Sequence, residues 1–110
     1  MDDLIKSVED KRTKLSGKVL LLEGMSGVLG RILLNELCAP PWSRYLEIGT
    51  HMGSTLISAM YGNTVYAVAV DNFSQPFGQD SPKRRLMQHL GMFDLACTIV
   101  ERDYTDPDVP

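Results

Sequence analysis

The sequence predicts an α/β domain built on parallel strands, and three observations carry that prediction. Residues 44–55, Arg-Tyr-Leu-Glu-Ile-Gly-Thr-His-Met-Gly-Ser-Thr, read as a short apolar strand that ends on a glycine turn and opens into a small-residue helix start. Residues 64–70, Thr-Val-Tyr-Ala-Val-Ala-Val, are β-branched and continuously apolar, as suits a strand covered on both faces, and Asp71 closes the run. Strand-like and helix-like segments alternate along the chain, and right-handed crossovers make such strands parallel.

At 110 residues and 44% hydrophobic content, the chain has the size and composition for one modest core. It contains no apolar run of about 18 residues, and Met1-Asp2-Asp3 lacks the basic and apolar regions of a signal peptide, so the expectation is a cytoplasmic protein with no membrane partner. Cys38 and Cys97 have no Cys or His neighbour at metal spacing and read as small buried hydrophobes. A net charge of -3 offers no general attraction to phosphate, so there is no nucleic-acid footprint. The cluster Lys83-Arg84-Arg85 reads as the solvated first turn of a helix, and Glu9 and Asp10 interrupt the field of Lys11, Arg12 and Lys14.

Taken in order, residues 2–15 carry Leu4, Ile5 and Val8 among charged residues and fit a short amphipathic helix, which Ser16-Gly17 stops. Residues 18–23 form an apolar run that periodicity alone assigns to neither strand nor helix. Ser26 is the expected N-cap of a helix over 27–38, with Val28, Leu29, Ile32, Leu33 and Leu37 as its apolar stripe. Pro40 and Pro41 end it. The first strand spans 44–48, and the helix after Gly53 runs to about Tyr61, where Gly62-Asn63 supplies the turn. After a loop over 72–80, Ser81 and Pro82 start a helix as N-cap and first helical residue, with Leu86, Met87, Leu90 and Phe93 on its apolar face. A third strand is expected at 96–100, and the last residues read as loop.

Two glycine stretches compete for the role of ligand loop, and in α/β proteins such a loop lies at the carboxyl ends of the strands. Glu23-Gly24-Met25-Ser26-Gly27 opens a helix and has Glu47 about 20 residues on, where a dinucleotide-binding fold wants an acid, but its glycines are not spaced as G-x-G-x-x-G. Gly49-x-x-x-Gly53 fails that fingerprint and the P-loop as well, since Ser54 follows Gly53 directly with no lysine for a phosphate. Glu47, just ahead of this second loop, suits a ligand with an amino group or positive charge rather than a polyphosphate.

The residues Glu47-Ile-Gly49-Thr-His-Met-Gly53-Ser54 resemble the first motif of class I S-adenosylmethionine-dependent methyltransferases, E/D-x-G-x-x-x-G, and residues 65–71 resemble the second. The resemblance covers about residues 44–103. It implies a three-layer, Rossmann-like α/β fold with parallel strands in the order 3-2-1, truncated relative to the seven-stranded methyltransferase sheet. Residues 1–43 would be an N-terminal helical cover and 44–110 the cofactor-binding half-domain. By that resemblance the cofactor is S-adenosyl-L-methionine, with S-adenosyl-L-homocysteine as product. Gly49 and Gly53 would let the backbone approach its methionine part and ribose, with Thr50, His51 and Ser54 in the same loop. Asp71 would accept from the two ribose hydroxyls, Asn72 and Phe73 would flank the adenine, Asp103 would lie near it, and Glu47 would act on the amino end through the loop's hydrogen bonds or water. An ionised carboxylate accepts only and a vicinal diol offers two donors, which agrees for Asp71.

The motif that usually faces the methyl group has no counterpart in this chain, so no catalytic residue is assigned and the acceptor, a small molecule or a protein, is unknown. His51 reads as a turn residue and His89 as a surface or helix-terminus group. Asp103, Asp106 and Asp108 read as a solvated tail rather than a metal site. Without further strands the 44–48 strand has an open side, and an open apolar edge invites pairing, so a homo-oligomer through that edge is expected. The alternatives to the methyltransferase reading are an NAD- or nucleotide-binding Rossmann protein using the Gly24 loop and a non-catalytic half-domain that oligomerises.

Overall fold

The computed structural model describes residues 13–22, 24, 26–74 and 81–102. Their elements are, in order, helix α1 (Gly17–Leu20), helix α2 (Val28–Leu37), strand β1 (Ser43–Ile48), helix α3 (Ser54–Met60), strand β2 (Val65–Asp71), helix α4 (Pro82–Met92) and strand β3 (Thr98–Glu101). Most of the expected helix over 2–15 lies outside the described residues, as do Asp103, Asp106 and Asp108. Ser16 caps α1, its side chain accepting from the backbone N–H of Val19, so the run from Lys18 begins as a turn of helix. Ser81 caps α4 with Pro82 in its first turn, as its sequence predicts.

The fold is α/β, with three parallel strands in one sheet ordered β1-β2-β3. Ser43 to Ile48 pair in register with Val65 to Val70, and Val68 to Asp71 with Thr98 to Glu101. Both crossovers step the same way across the sheet, and right-handed connections that step the same way put their helices on one face. Tyr45, Ala67, Ala69 and Ile99 accordingly meet Leu56, Ile57, Leu86 and Leu90 in one core, to which α1 adds Val19 and α2 adds Ile32. The described residues thus form two layers, and the third expected layer is not among them. On the opposite face Leu46 and Ile48 are about half exposed and Tyr66 is 64% exposed. The outer edge of β1 has no strand partner among the described residues. Nor is any helix among them long and apolar enough to cross a membrane.

Helix α2 departs most from expectation. Leu29, Leu33 and Leu37 of its stripe are exposed, while Arg31, Ile32 and Asn35 are buried. The reason is that α2 packs against helix ends, whose last carbonyls have no partner within their own helix. Asn35 donates from Nδ2 to the carbonyls of Ser58 and Tyr61, both at 2.8 Å, and Arg31 donates to those of Val19, Leu20 and Leu22. Satisfying buried carbonyls outweighs burying three leucines.

Candidate functional site

A cavity of about 450 Å³ opens beyond the carboxyl ends of β1 and β2. Its walls come from three segments: Gly24 and Ser26 ahead of α2, the turn between Ile48 and Thr55, and Val70, Asp71, Asn72 and Ser74 at the end of β2 and just after it. The two competing glycine loops therefore converge on one cavity. Arg102, after β3, completes the lining.

The turn is wound by left-handed residues. Gly49 (φ 81°), His51 (φ 50°) and Gly53 (φ 89°) alternate with Thr50 and Met52. The left-handed region is open to glycine and costly for most other residues. Gly53 also needs to lack a side chain, since a Cβ there would lie 2.4 Å from Leu86 Cδ1. This winding turns the backbone N–H groups of Gly49 and Thr50 onto the Val70 carbonyl, at 2.7 and 3.4 Å, and that of His51 onto Asp71 Oδ2 at 2.7 Å. Asp71 Oδ1 accepts from the backbone N–H of Phe73 at 2.8 Å. One carboxylate thus ties the turn after β1 to the turn after β2, and each oxygen keeps lone-pair capacity for a second donor.

Of the residues expected at the site, Gly49, Thr50, His51, Ser54, Asp71 and Asn72 line the cavity. Asn72 is exposed and accepts from the Ser74 N–H at 3.1 Å. Gly53 shapes the turn from beneath, and Phe73 packs against the core. Asp103 lies outside the described residues.

Glu47 is not in the cavity lining. It shares strand parity with Tyr45 and so faces the helices, where its Oε1 accepts from the Tyr45 hydroxyl at 2.7 Å and from the Thr55 hydroxyl. Its Oε2 is buried without a partner among the described residues. Burial, and then the charge of Glu47, push the Tyr45 phenol above its ordinary range, and the same two causes in that order raise the Cys97 thiol. Burial alone raises Cys38, and both cysteines are free.

Two participants, Ser26 and His89, were not expected. Ser26 does not cap α2, since Gly27 takes that position; its hydroxyl accepts from Arg31 Nε at 2.9 Å and lies 3.2 Å from Ser54 Oγ. His89 is buried rather than superficial, with Nδ1 on the Met52 carbonyl at 2.7 Å. Thr50, one of the expected residues, is buried, and its Oγ1 has no hydrogen-bond partner among the described residues.

No protein-family model and no curated protein matches this chain. Its fold is similar to that of the C-terminal domain of precorrin-6Y C5,15-methyltransferase from Rhodobacter capsulatus, with a TM-score of 0.62 at 12% sequence identity. The match covers 86% of this chain and 50% of the other, so this chain spans half the length of that structure. At such identity the likeness is one of fold.

Proposed function

We propose that this chain is the cofactor-binding part of an S-adenosylmethionine-dependent methyltransferase. The observation that carries this reading is Asp71, a carboxylate fixed by two backbone N–H groups at the end of β2, on the rim of the cavity formed by the Gly49 turn. Its remaining lone pairs suit the two hydroxyls of a ribose. The cavity is within the size range of small-molecule sites, and its place outside the strand ends is where open α/β sheets bind ligands. When bound, the sulfonium cofactor supplies the methyl group for direct displacement. The chain's own part is to hold and orient that donor, from which such reactions gain much of their rate.

The nucleotide alternative asks Glu47 to reach a ribose, whereas that residue faces the helices. Calorimetry with S-adenosylhomocysteine and with NAD separates the two readings. Binding of S-adenosylhomocysteine, weakened at least about tenfold by Asp71→Ala, a loss of about 1.4 kcal/mol, is the expected result. Binding of NAD alone overturns the assignment.

A second reading, compatible with the first, is self-association. It is favoured by the open edge of β1 together with the exposure of Leu46 and Ile48 on the uncovered sheet face. A second copy pairing β1 against β1 about a two-fold axis would close both edges at once. Light scattering at micromolar concentration should give twice the chain mass, and a monomer overturns this reading.

A further inference from the structure

One face of the sheet has no cover among the described residues. Both crossovers put their helices on the other face, whereas sheets of parallel strands occur almost only with both faces covered. On the bare face Leu46, Ile48 and Tyr66 are exposed, and Val68 and Val100 are half-buried. Arg44, in register with Tyr66, is the one charged residue of that face; it is exposed and has no ion-pair partner among the described residues.

The described chain begins close to the amino ends of the strands. Lys14 Nζ donates to Asn35 Oδ1 at 2.8 Å, and the Lys14 side chain packs on Gly62, in the turn that enters β2. Thr13 to Ser16 are not helical, so the helix expected over 2–15 does not reach them. Residues 1–12 precede this point. The last four, Glu9-Asp10-Lys11-Arg12, are all charged, and extended they span about 13 Å, enough to pass the roughly 10 Å between packed layers around the base of the sheet. Ahead of them, Leu4, Ile5 and Val8 have the spacing that puts three apolar side chains on one side of a helix.

We propose that residues 2–8 dock as a short helix on the bare sheet face, with Leu4, Ile5 and Val8 against Leu46, Tyr66 and Val68, and with Glu9 and Asp10 meeting Arg44 at the base of β1. Length and apolar spacing suit the face, and charge selects it. The other bare apolar surface is the leucine stripe of α2, where the half-exposed charge is Glu36, which gives Glu9 and Asp10 no partner. The cover leaves the outer edge of β1 open for strand pairing and is independent of what the cavity binds.

The test is the rate at which iodoacetamide, an uncharged reagent, alkylates a thiol placed on that face of the full chain, with the native chain's Cys38 and Cys97 as the baseline. Tyr66→Cys should react at least about tenfold faster when Leu4→Asp and Ile5→Asp accompany it, because a covered thiol reacts only in the fraction of chains whose cover is open. Leu33→Cys on α2 should react at one rate with or without those two substitutions. Arg44→Glu should speed Tyr66→Cys by about twofold or more, the scale of an exposed ion pair, and Glu9→Lys with Asp10→Lys should restore the slower rate. That rescue is readable even if the aspartate variants fail to fold. A Tyr66→Cys thiol that reacts at one rate in every background overturns the proposal. So does a change confined to Leu33→Cys, which would put the segment on α2.

Discussion

His89 donates from Nδ1 to the carbonyl of Met52 at 2.7 Å, joining α4 to the turn after β1 with both residues buried. A carbonyl can only accept, so Nδ1 carries the hydrogen. His89→Ala leaves a buried carbonyl without a donor, at a cost of roughly 1–3 kcal/mol. The thermal midpoint should fall by at least about 4 °C, and S-adenosylhomocysteine should bind more weakly because the turn loses its tie to α4. Unchanged midpoint and affinity would show that the contact does not hold the turn.

Two glycines should respond oppositely to alanine. Gly53 has φ 89° and its Cβ position is occupied by Leu86, so Gly53→Ala should cost about 1–2 kcal/mol or more. Gly30 lies inside α2 with nothing within 4 Å of its Cβ position, and Gly30→Ala should stabilise by about 0.5–1 kcal/mol. Urea midpoints of the two variants measure both.

The reversed burial of α2 makes a prediction contrary to its hydrophobic pattern. Leu33→Gln should change stability by less than about 0.5 kcal/mol, because Leu33 is 38% exposed. Asn35→Leu, which the pattern would favour, removes the donor of the Ser58 and Tyr61 carbonyls and should cost roughly 1–3 kcal/mol. A more stable Asn35→Leu protein would mean that the helix can rotate its leucines inward.

Alkaline pH should weaken the fold through groups that keep their protons. The folded-state pKa values of Cys38, Cys97 and Tyr45 are raised. Their contribution is therefore complete below the unfolded values, about 8.5 for the thiols and about 10 for the phenol, and is lost as pH rises through the folded ones. Glu47 raises both Cys97 and Tyr45, so Glu47→Gln should show a shallower alkaline decline in urea midpoint than the native chain. Both thiols should also react faster with a disulfide reagent once the protein is unfolded; equal rates in the two states would contradict the burial of Cys38 and the partial burial of Cys97.

The order of strands, the glycine turn and the start of α4 were legible because each depends on neighbours in sequence. Gly49 and Gly53 mark left-handed backbone, Asp71 ends an uninterrupted β-branched run, and Ser81-Pro82 is a local helix start. What escaped depends on distant partners. His89 meets Met52 across 37 residues and Ser26 meets Ser54 across 28, and neither residue type advertises such a role. The inward side of α2 was misread because amphipathicity weighs leucines and cannot see unsatisfied carbonyls on the neighbouring helices. The position of Glu47 was within reach, since alternation from Tyr45 sends both side chains to one face.

The mouth of the cavity is fastened almost wholly by main-chain atoms. The N–H groups of Gly49, Thr50, His51 and Phe73 and the carbonyl of Val70 set its width, with Asp71 as the sole side chain in that set. An aperture made this way keeps its dimensions while most of the residues around it are exchanged. A chain can then change much of its sequence and still present this doorway, provided that the glycines and one carboxylate stay. Selectivity among ligands falls to the walls, where single hydroxyls can be gained or lost without disturbing the frame.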